Sequence, residues 1–534
     1  MSIPNTLKND AFERAQANEH PSNLLQQAEF AIRMLLEFLP ADSLEKFSWH
    51  PWRPFSADNL KLLYQRQRKM KWLEAIALDQ DVNKDLIKSL KLDAAVENVS
   101  RLGLYPDSRD TLVLSNEMLR RLGTKLKKLT LHANFSDAEV EIPVAELQDT
   151  PTEPGLVTRT IFSHMIPFES CTPLTLKELT LQNVHVRFAA DTYCRTIDFS
   201  RLKTLRVFGC LGADSLFAEM CKARSLPLSL QTFEFKHDDD TNGETISALN
   251  TLLTLLSGLR RLYIDIANAK GGPSDVSVIR HAQTLQELLV HSYDGDPSDP
   301  DDDEHIWSEE SFTKICTSCK EIEQLSVAMP PTPVFRLTEE ASRWISAIAD
   351  MPKLVTLNIT TWPTNSPSSS RLPRKAYECL LQSMAQEIFD ASVQASTKRR
   401  QKAAEESSKT NPSTALETES ESSSPSHTAL PSASLTTIAF GTSDKIYERL
   451  DPKTCMVYMR GLLTSPVAPD HPTSAAVPVS WNLRKYEETR SDILDFALAR
   501  AMRPPCRDSV GGTIGTSSLR GLGGGNGGDD DGGW

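Results

Sequence analysis

Apolar residues recur along this chain in the spacing apolar-x-x-apolar-x-apolar, and the copies stay in phase. From Leu176 onward, successive clear copies begin 26, 28, 29 and 26 residues apart. The spacing predicts a short strand whose second and third apolar positions point to the same face. The copies begin at Leu44, Leu73, Val99, Leu126, Leu176, Leu202, Leu230, Leu259, Leu285, Ile322, Leu354 and Leu435.

A lone strand of this kind buries too little surface to be stable, so the copies are expected to stack. Stacked in parallel at about 4.8 Å per strand, they form a curved sheet whose apolar residues fill a continuous core. The segments between strands, such as 213–224 and 245–256, have helical periodicity. The predicted fold class is therefore an α/β solenoid, with a parallel sheet on the concave face and helices on the convex face. The competing interpretation, an α/β domain of unrelated strands, does not explain the constant phase.

Interruptions of the pattern predict the domain organisation. The Ser/Thr/Glu-rich tract and the Gly-rich C-terminus have the composition of disordered chain. Ile493, Leu494, Phe496 and Leu498 are expected to cover the open end of the solenoid. The predicted units are an N-terminal helical cap at 1–43, the solenoid at 44–363 with an acidic loop at 294–305, a helical extension at 364–394, a disordered insertion at 395–434, a C-terminal strand and capping helix at 435–505, and a disordered tail at 506–534.

Composition predicts a soluble intracellular chain. It has 534 residues, a net charge of −13 and 39% hydrophobic residues, and no apolar run long enough to span a membrane. The N-terminus lacks the apolar stretch of a secretion signal, and nine scattered cysteines favour a reducing compartment. We therefore expect a cytoplasmic and/or nuclear location. The basic residues 398–402 are a weak nuclear-import signal.

The sequence contains no recognisable catalytic or metal-binding motif. Cys316 and Cys319 form a single C-x-x-C without a second ligand pair, and we interpret them as two helix cysteines of which one packs inward. The histidines are dispersed, and no phosphate-binding or nucleophile motif occurs. We therefore predict no enzyme activity, no catalytic residue, no metal ligand and no cofactor.

The repeat phase predicts which side chains line the concave face, and the central ones are mostly basic. In a chain of net charge −13, this arrangement favours an acidic or phosphorylated protein partner. The competing interpretation is ordinary solvated charge along strand edges. Nucleic acid is not favoured, because few aromatic residues are available for stacking. The candidate partner-binding residues are Lys127, Lys128, Lys177, Lys203, Arg206, Arg260, Arg261 and Tyr263.

The segment from Leu44 to about Thr361 resembles the leucine-rich-repeat solenoids of fungal F-box proteins. The resemblance implies a concave sheet that holds substrates for an SCF-type ubiquitin ligase, and an N-terminal module that binds a Skp-type adaptor. An F-box would be degenerate or absent, because His50–Pro54 would interrupt its helices and the segment 44–49 fits the repeat register equally well. The helix predicted at 24–39 is then either a cap or an F-box remnant. The alternative function is a leucine-rich-repeat regulator without a ubiquitin link, for example of a GTPase or of nuclear transport. The residues at F-box-like intervals are Leu39, Pro40, Leu44, Phe47, Leu60 and Trp72.

Overall fold

The computed structural model describes sixteen stretches of the chain. The predicted disordered tail, most of the acidic loop, and residues 411–433 of the predicted insertion lie outside them. The described residues are 21–48, 56–74, 96–106, 108–133, 135, 142–166, 172–222, 226–239, 244–269, 271–294, 305–363, 373–410, 434–441, 456–465, 468–479 and 492–494.

The strands form one 14-stranded sheet in which spatial order equals chain order. Strands β1 to β12 are parallel, and β13 and β14 form an antiparallel hairpin at one end. Since β1 and β14 are the two ends of that order, the sheet is open and not a barrel. This α/β arrangement is compatible with a solenoid. The strands are β1 Lys46–Ser48, β2 Trp72–Glu74, β3 Arg101–Leu104, β4 Lys128–His132, β5 Glu178–Gln182, β6 Thr204–Phe208, β7 Thr232–Asp238, β8 Arg261–Ala267, β9 Glu287–Ser292, β10 Gln324–Val327, β11 Thr356–Ile359, β12 Thr437–Phe440, β13 Met456–Ser465 and β14 Ala468–Val479.

The register of the sheet confirms the phase of the repeating pattern. The second apolar positions pair directly across the strands, Leu129 with Leu179, and Leu179 with Leu205. These side chains and the third apolar positions are buried in one continuous core shared with the helices. Each strand therefore contributes the same two inward positions, as its spacing predicts.

One weak copy of the pattern is displaced by three residues. The sequence suggests a copy that begins at Leu73, whereas Leu73 pairs with Leu102 and so occupies the second position. Met70, which is fully buried, takes the first position. Strand β1 follows the expected register, with Phe47 opposite Leu73. Residues 46–48 of the segment 44–49 therefore lie in the sheet.

Helices follow most strands and pack on one another along one face of the sheet. Several of their N-termini are fixed by Ser or Thr side chains that accept backbone N–H groups, as at Ser108, Ser308 and Thr338. The helices predicted at 213–224 and 245–256 are present with slightly different bounds. The helices are α1 Pro21–Phe38, α2 Ala57–Arg66, α3 Arg109–Leu122, α4 Val144–Leu147, α5 Leu156–Ile161, α6 Ala190–Thr196, α7 Ala213–Met220, α8 Glu244–Leu255, α9 Asp275–Ile279, α10 Glu309–Ser318, α11 Glu339–Ala349 and α12 Arg374–Thr410.

Helix α12 extends beyond the boundary at residue 394 that the sequence predicted. The residues after that boundary are rich in Ala, Lys, Arg, Gln and Glu, which favour helix even in a polar segment. Arg399 also anchors this part, because its Nη1 donates to the carbonyl of Ala349 at 2.8 Å, at the C-terminus of α11. The basic residues 398–402 therefore continue the helix.

The end of the sheet differs from the predicted helical cap. The hairpin β13–β14 extends the sheet, and α12 side chains bond its last strand. Gln386 accepts the N–H of Ala476 at 2.7 Å, and Gln382 donates to the carbonyl of Ala476 at 2.6 Å. Ile493 and Leu494 do not cover the last strand; they belong to an apolar cluster on the sheet that includes Tyr263 and Leu289 as well as Ala439 and Val457. The edge is thus protected without them, and the predicted cap residues Phe496 and Leu498 lie outside the described residues.

Candidate functional site

The sheet face opposite the helices, here called the open face, carries the side chains between the core positions. Because the strands are in register, these side chains form straight rows across the sheet. The middle row changes character along its length, from threonines and charged residues to apolar and amide residues. From β4 to β12 it reads Thr130, Thr180, Arg206, Glu234, Tyr263, Leu289, Ser326, Asn358 and Ala439.

The structure divides the eight candidate residues from the sequence into two groups. One group lies within strands on the open face, and the other lies one residue before a strand, along the edge where the strands begin. We call the second group the edge row. The open-face group is Lys128, Arg206, Arg261 and Tyr263; the edge row is Lys127, Lys177, Lys203 and Arg260.

The backbone holds the edge row in line. The N–H of Lys177 donates to the carbonyl of Lys127 at 2.7 Å, and the N–H of Lys203 donates to that of Lys177 at 2.8 Å. Gln231 continues the line between Lys203 and Arg260. The four basic side chains are exposed, and none forms an ion pair with another residue of the described ranges. Three lysines on neighbouring strands therefore lie about 4.8 Å apart per step, and within the described ranges none of them is paired with an acidic side chain.

The open-face cations, in contrast, are neutralised by acidic residues on adjacent strands. The Arg261 Nε lies 2.7 Å from a Glu287 carboxylate oxygen, and its Nη2 donates to the other oxygen at 2.9 Å. Arg206 Nε pairs with Glu234 at 2.8 Å, while Lys128 Nζ and Glu178 are 3.6 Å apart. The positive charges of Lys128, Arg206 and Arg261 are thus largely neutralised within the sheet.

Tyr263 is part of the same network. Its hydroxyl donates to Glu287, and the Arg261 guanidinium lies 5.3 Å from the centre of its ring. Burial raises the pKa of Tyr263, so the hydroxyl stays protonated and remains a donor. Tyr263 is only 2% exposed, which identifies it as an internal residue of a covered surface.

A cationic cluster surrounds Trp72 near the N-terminal end of the open face. Lys46 Nζ lies 3.6 Å from the ring centre, Lys128 Nζ lies 5.0 Å away, and the Arg101 guanidinium lies 5.1 Å away. Sequence analysis missed this cluster as a site, since its members are far apart in the chain. The signal that identifies it is the row Lys46, Trp72, Arg101 and Lys128, which appears once the strands are aligned.

A buried polar cluster lies at the middle of the sheet. The Asp265 carboxylate is 3.3 Å from His291 Nδ1 and 3.8 Å from Lys236 Nζ, and all three side chains are nearly inaccessible. Cys316 and Cys319 are also buried, and burial raises the pKa of Cys319 to about 12 and that of Cys316 further still. Both thiols therefore stay protonated at neutral pH. Within the described ranges, no three His, Cys, Asp or Glu side chains are arranged to hold a metal ion.

A scan of protein-family models gives no match to this sequence, and a search of curated proteins gives no significant match. In the part of the chain that the structure describes, no helix combines the length and apolarity needed to cross a bilayer. The functional interpretation therefore depends on the geometry of the two basic groups and of the open face.

Proposed function

We propose that the chain is a leucine-rich-repeat solenoid that acts as a protein-interaction scaffold, and that its edge row binds an acidic or phosphorylated segment of a partner. The repeat class is supported by the constant phase of the pattern and by the in-register burial of its second and third positions. The observation that carries the binding proposal is the alignment of exposed lysines that have no acidic partner in the part of the chain that the structure describes.

The lysines of the edge row are like charges on neighbouring strands. Lys127, Lys177 and Lys203 repel one another along adjacent strands, which opposes folding slightly. A partner that places carboxylates or phosphates along the row removes that repulsion and releases bound counter-ions. Lys46 and Arg101 near Trp72 extend positive potential over the same end of the sheet. In a chain of net charge −13, such a concentrated basic surface steers acidic segments to one place.

Fluorescence anisotropy with a short labelled oligoglutamate peptide, and with its phosphoserine counterpart, tests this proposal on the full chain. We expect the triple variant K127E/K177E/K203E to bind at least roughly tenfold more weakly, since it replaces attraction with repulsion. Raising the salt from about 0.05 M to about 0.5 M should weaken binding to the native chain.

The matched control is K314E/K353E/K402E, which changes the net charge equally at exposed lysines away from the edge row. We expect its affinity to stay within about twofold of the native value, apart from a small long-range effect. Equal losses in the two triple variants would show that net charge alone governs binding. In that case the edge row is not the binding site.

We further propose that the scaffold serves as a substrate-recognition subunit of an SCF-type ubiquitin ligase. The specific observation in favour is helix α1, which precedes the first strand and exposes Phe30, Leu35 and Phe38 by 64%, 61% and 78%. Large apolar side chains this exposed are typical of a surface that another protein covers. Its Leu36 is buried, and Asn59 of α2 donates to the carbonyl of Glu29, so α1 is attached to the sheet domain.

Size-exclusion chromatography with a purified Skp-type adaptor tests this second proposal. Co-elution with the full chain, and its loss in F30D/L35D/F38D, would support it. The control Q27D/A31D/R33D alters exposed residues of the same helix and should co-elute. If the native chain and adaptor elute separately, the function without a ubiquitin link, as a GTPase or nuclear-transport regulator, is favoured instead.

A further inference from the structure

The middle of the open face is already occupied by a distant part of the same chain. Ile493 and Leu494 are fully buried in an apolar cluster with Tyr263 and Leu289, to which Ala439 and Val457 also belong. These four sheet residues lie in the middle row on β8, β9, β12 and β13. We call Tyr263, Leu289, Ala439 and Val457 the apolar patch.

Polar contacts fix the position of this segment. The N–H of Ile493 donates to the Gln324 side-chain oxygen at 3.0 Å, and Gln324 is itself 2% exposed. Asp492 places a carboxylate oxygen 3.5 Å from Arg261 Nη2. Gln324 and Arg261 belong to the row beside the middle row. The sheet therefore provides an amide acceptor for the backbone and an apolar surface for two aliphatic side chains. Arg261, which is already paired with Glu287, provides a second and longer contact for an acidic side chain.

These features define a recognition pattern in which an acidic residue precedes two aliphatic residues. Each part of the pattern has its own complementary group on the sheet. A sheet face that only buries apolar surface does not need a polar group for the backbone and a charged group for the acidic side chain as well. The segment 492–494 belongs to the same chain as the sheet and follows the last strand, which ends at Val479, by 12 residues in sequence. A tethered segment competes with free ligands through its high effective concentration.

We propose that the apolar patch, with Arg261 and Gln324, is a binding site for a partner segment of the form acidic-aliphatic-aliphatic, and that residues 492–494 occupy this site as an intramolecular competitor. The inference rests on the proposed scaffold function, but it concerns a surface separate from the edge row. A partner binds here only when its segment displaces Asp492, Ile493 and Leu494. The C-terminal segment thereby sets the threshold for binding at the open face.

The test uses a fluorescein-labelled peptide with the sequence of residues 484–500 and four full-length proteins: the native chain, the variant I493D/L494D, and two further variants of I493D/L494D. The variant I493D/L494D vacates the patch by placing charges at the two buried positions. We expect this variant to bind the peptide, and the native chain to bind it roughly a hundredfold more weakly because the tethered copy competes. A control peptide with lysine for Asp492 and serine for Ile493 and Leu494 should bind neither protein.

A further substitution locates the peptide on the sheet. Added to I493D/L494D, Leu289→Lys should abolish peptide binding, whereas Thr180→Lys, at the same row position on β5, should leave it unchanged. Lack of binding by a folded I493D/L494D protein would overturn the binding site. Equal affinity of the native chain and I493D/L494D would overturn the competition.

Hydrogen exchange on the native chain gives a test that needs no variant. The amide of Ile493 is protected by Gln324, so excess unlabelled peptide should accelerate its exchange as the segment is displaced. Unchanged exchange at saturating peptide would contradict displacement. Binding of oligoglutamate at the edge row is measured in a separate anisotropy experiment. Loss of oligoglutamate binding would contradict the proposed function, whereas loss of binding of the 484–500 peptide alone would contradict only this inference.

Discussion

The two halves of the open face share one sheet and one register but differ in what their middle row presents. From β4 to β6 the row consists of two threonines, which are 9% and 8% exposed, and of Arg206, whose side chain is 25% exposed, and ion pairs beside the row reach solvent. From β8 to β12 every member of the row is buried, from Tyr263 to Ala439. The repeated fold therefore determines where side chains point, while the identity of each row residue determines how deeply that part of the face is buried and whether it is polar or apolar.

The largest expected difference concerns cross-strand ion pairs. Asp265→Ala removes the carboxylate that lies within 3.8 Å of Lys236 Nζ, where the two side chains are 7% and 5% exposed. Loss of a buried charge partner should lower the free energy of unfolding by about 3–5 kcal/mol. Glu178→Ala removes the analogous partner of Lys128, where the side chains are 17% and 34% exposed, and should lower the free energy of unfolding by only about 0–1 kcal/mol. Urea unfolding of both variants measures the difference, and equal losses would contradict the comparison.

A smaller difference is expected for the middle row itself. Leu289→Ala should lower the free energy of unfolding by about 2–3 kcal/mol because Leu289 is buried under the C-terminal segment, whereas Thr180→Ala should cost less than about 1 kcal/mol. In the I493D/L494D background the cost of Leu289→Ala should fall. A double-mutant cycle from urea unfolding measures this coupling. Additive effects would show that the segment does not contact Leu289 in solution.

Acid should destabilise the folded chain through the buried His281, which lies between β8 and β9. Burial, and to a smaller extent Arg280, lowers the pKa of His281 from 6.5 to about 4 in the folded chain. The unfolded chain therefore binds a proton that the folded chain does not, and stability is lost as the pH falls from 6.5 toward 4, on the order of 2 kcal/mol. His281→Gln should flatten the pH dependence of the urea midpoint over this range. An unchanged slope would assign the effect to other groups.

The smallest predicted effect has the opposite sign. Lys177→Glu in the edge row should raise the free energy of unfolding by about 0.5 kcal/mol at low salt, because it replaces repulsion with attraction to Lys127 and Lys203. The gain should vanish at about 1 M salt. Lys353→Glu, which instead removes a surface ion pair with Glu321, should not stabilise the chain. A thermal shift that is independent of salt would contradict the repulsion argument.

The sequence predicted the parallel sheet and its core because periodicity is local. A spacing of two residues puts both apolar positions on one face of a strand, so Leu129, Leu179 and Leu205 could be assigned before their pairing was known. The copy near Leu73 was assigned three residues too late, because Met70 is its first apolar position and Leu73 its second. Both residues are apolar, so the spacing alone allows the copy to begin at either of them. Helix α12 exceeded its predicted end because composition alone does not separate a polar helix from disordered chain.

The candidate site depended more on tertiary structure. The sequence alone determined that basic residues cluster at the strands, and that Lys127, Lys177 and Lys203 occupy equivalent positions in successive copies. Only the assembled sheet decided that Arg206 and Arg261 face Glu234 and Glu287, and that the edge row has no such partners in the described residues. The docking of Ile493 on the apolar patch likewise follows from the tertiary structure and not from the local sequence. Local spacing determines the face of a strand, but neutralisation and docking depend on which distant residues the register and the chain path bring within a few ångströms.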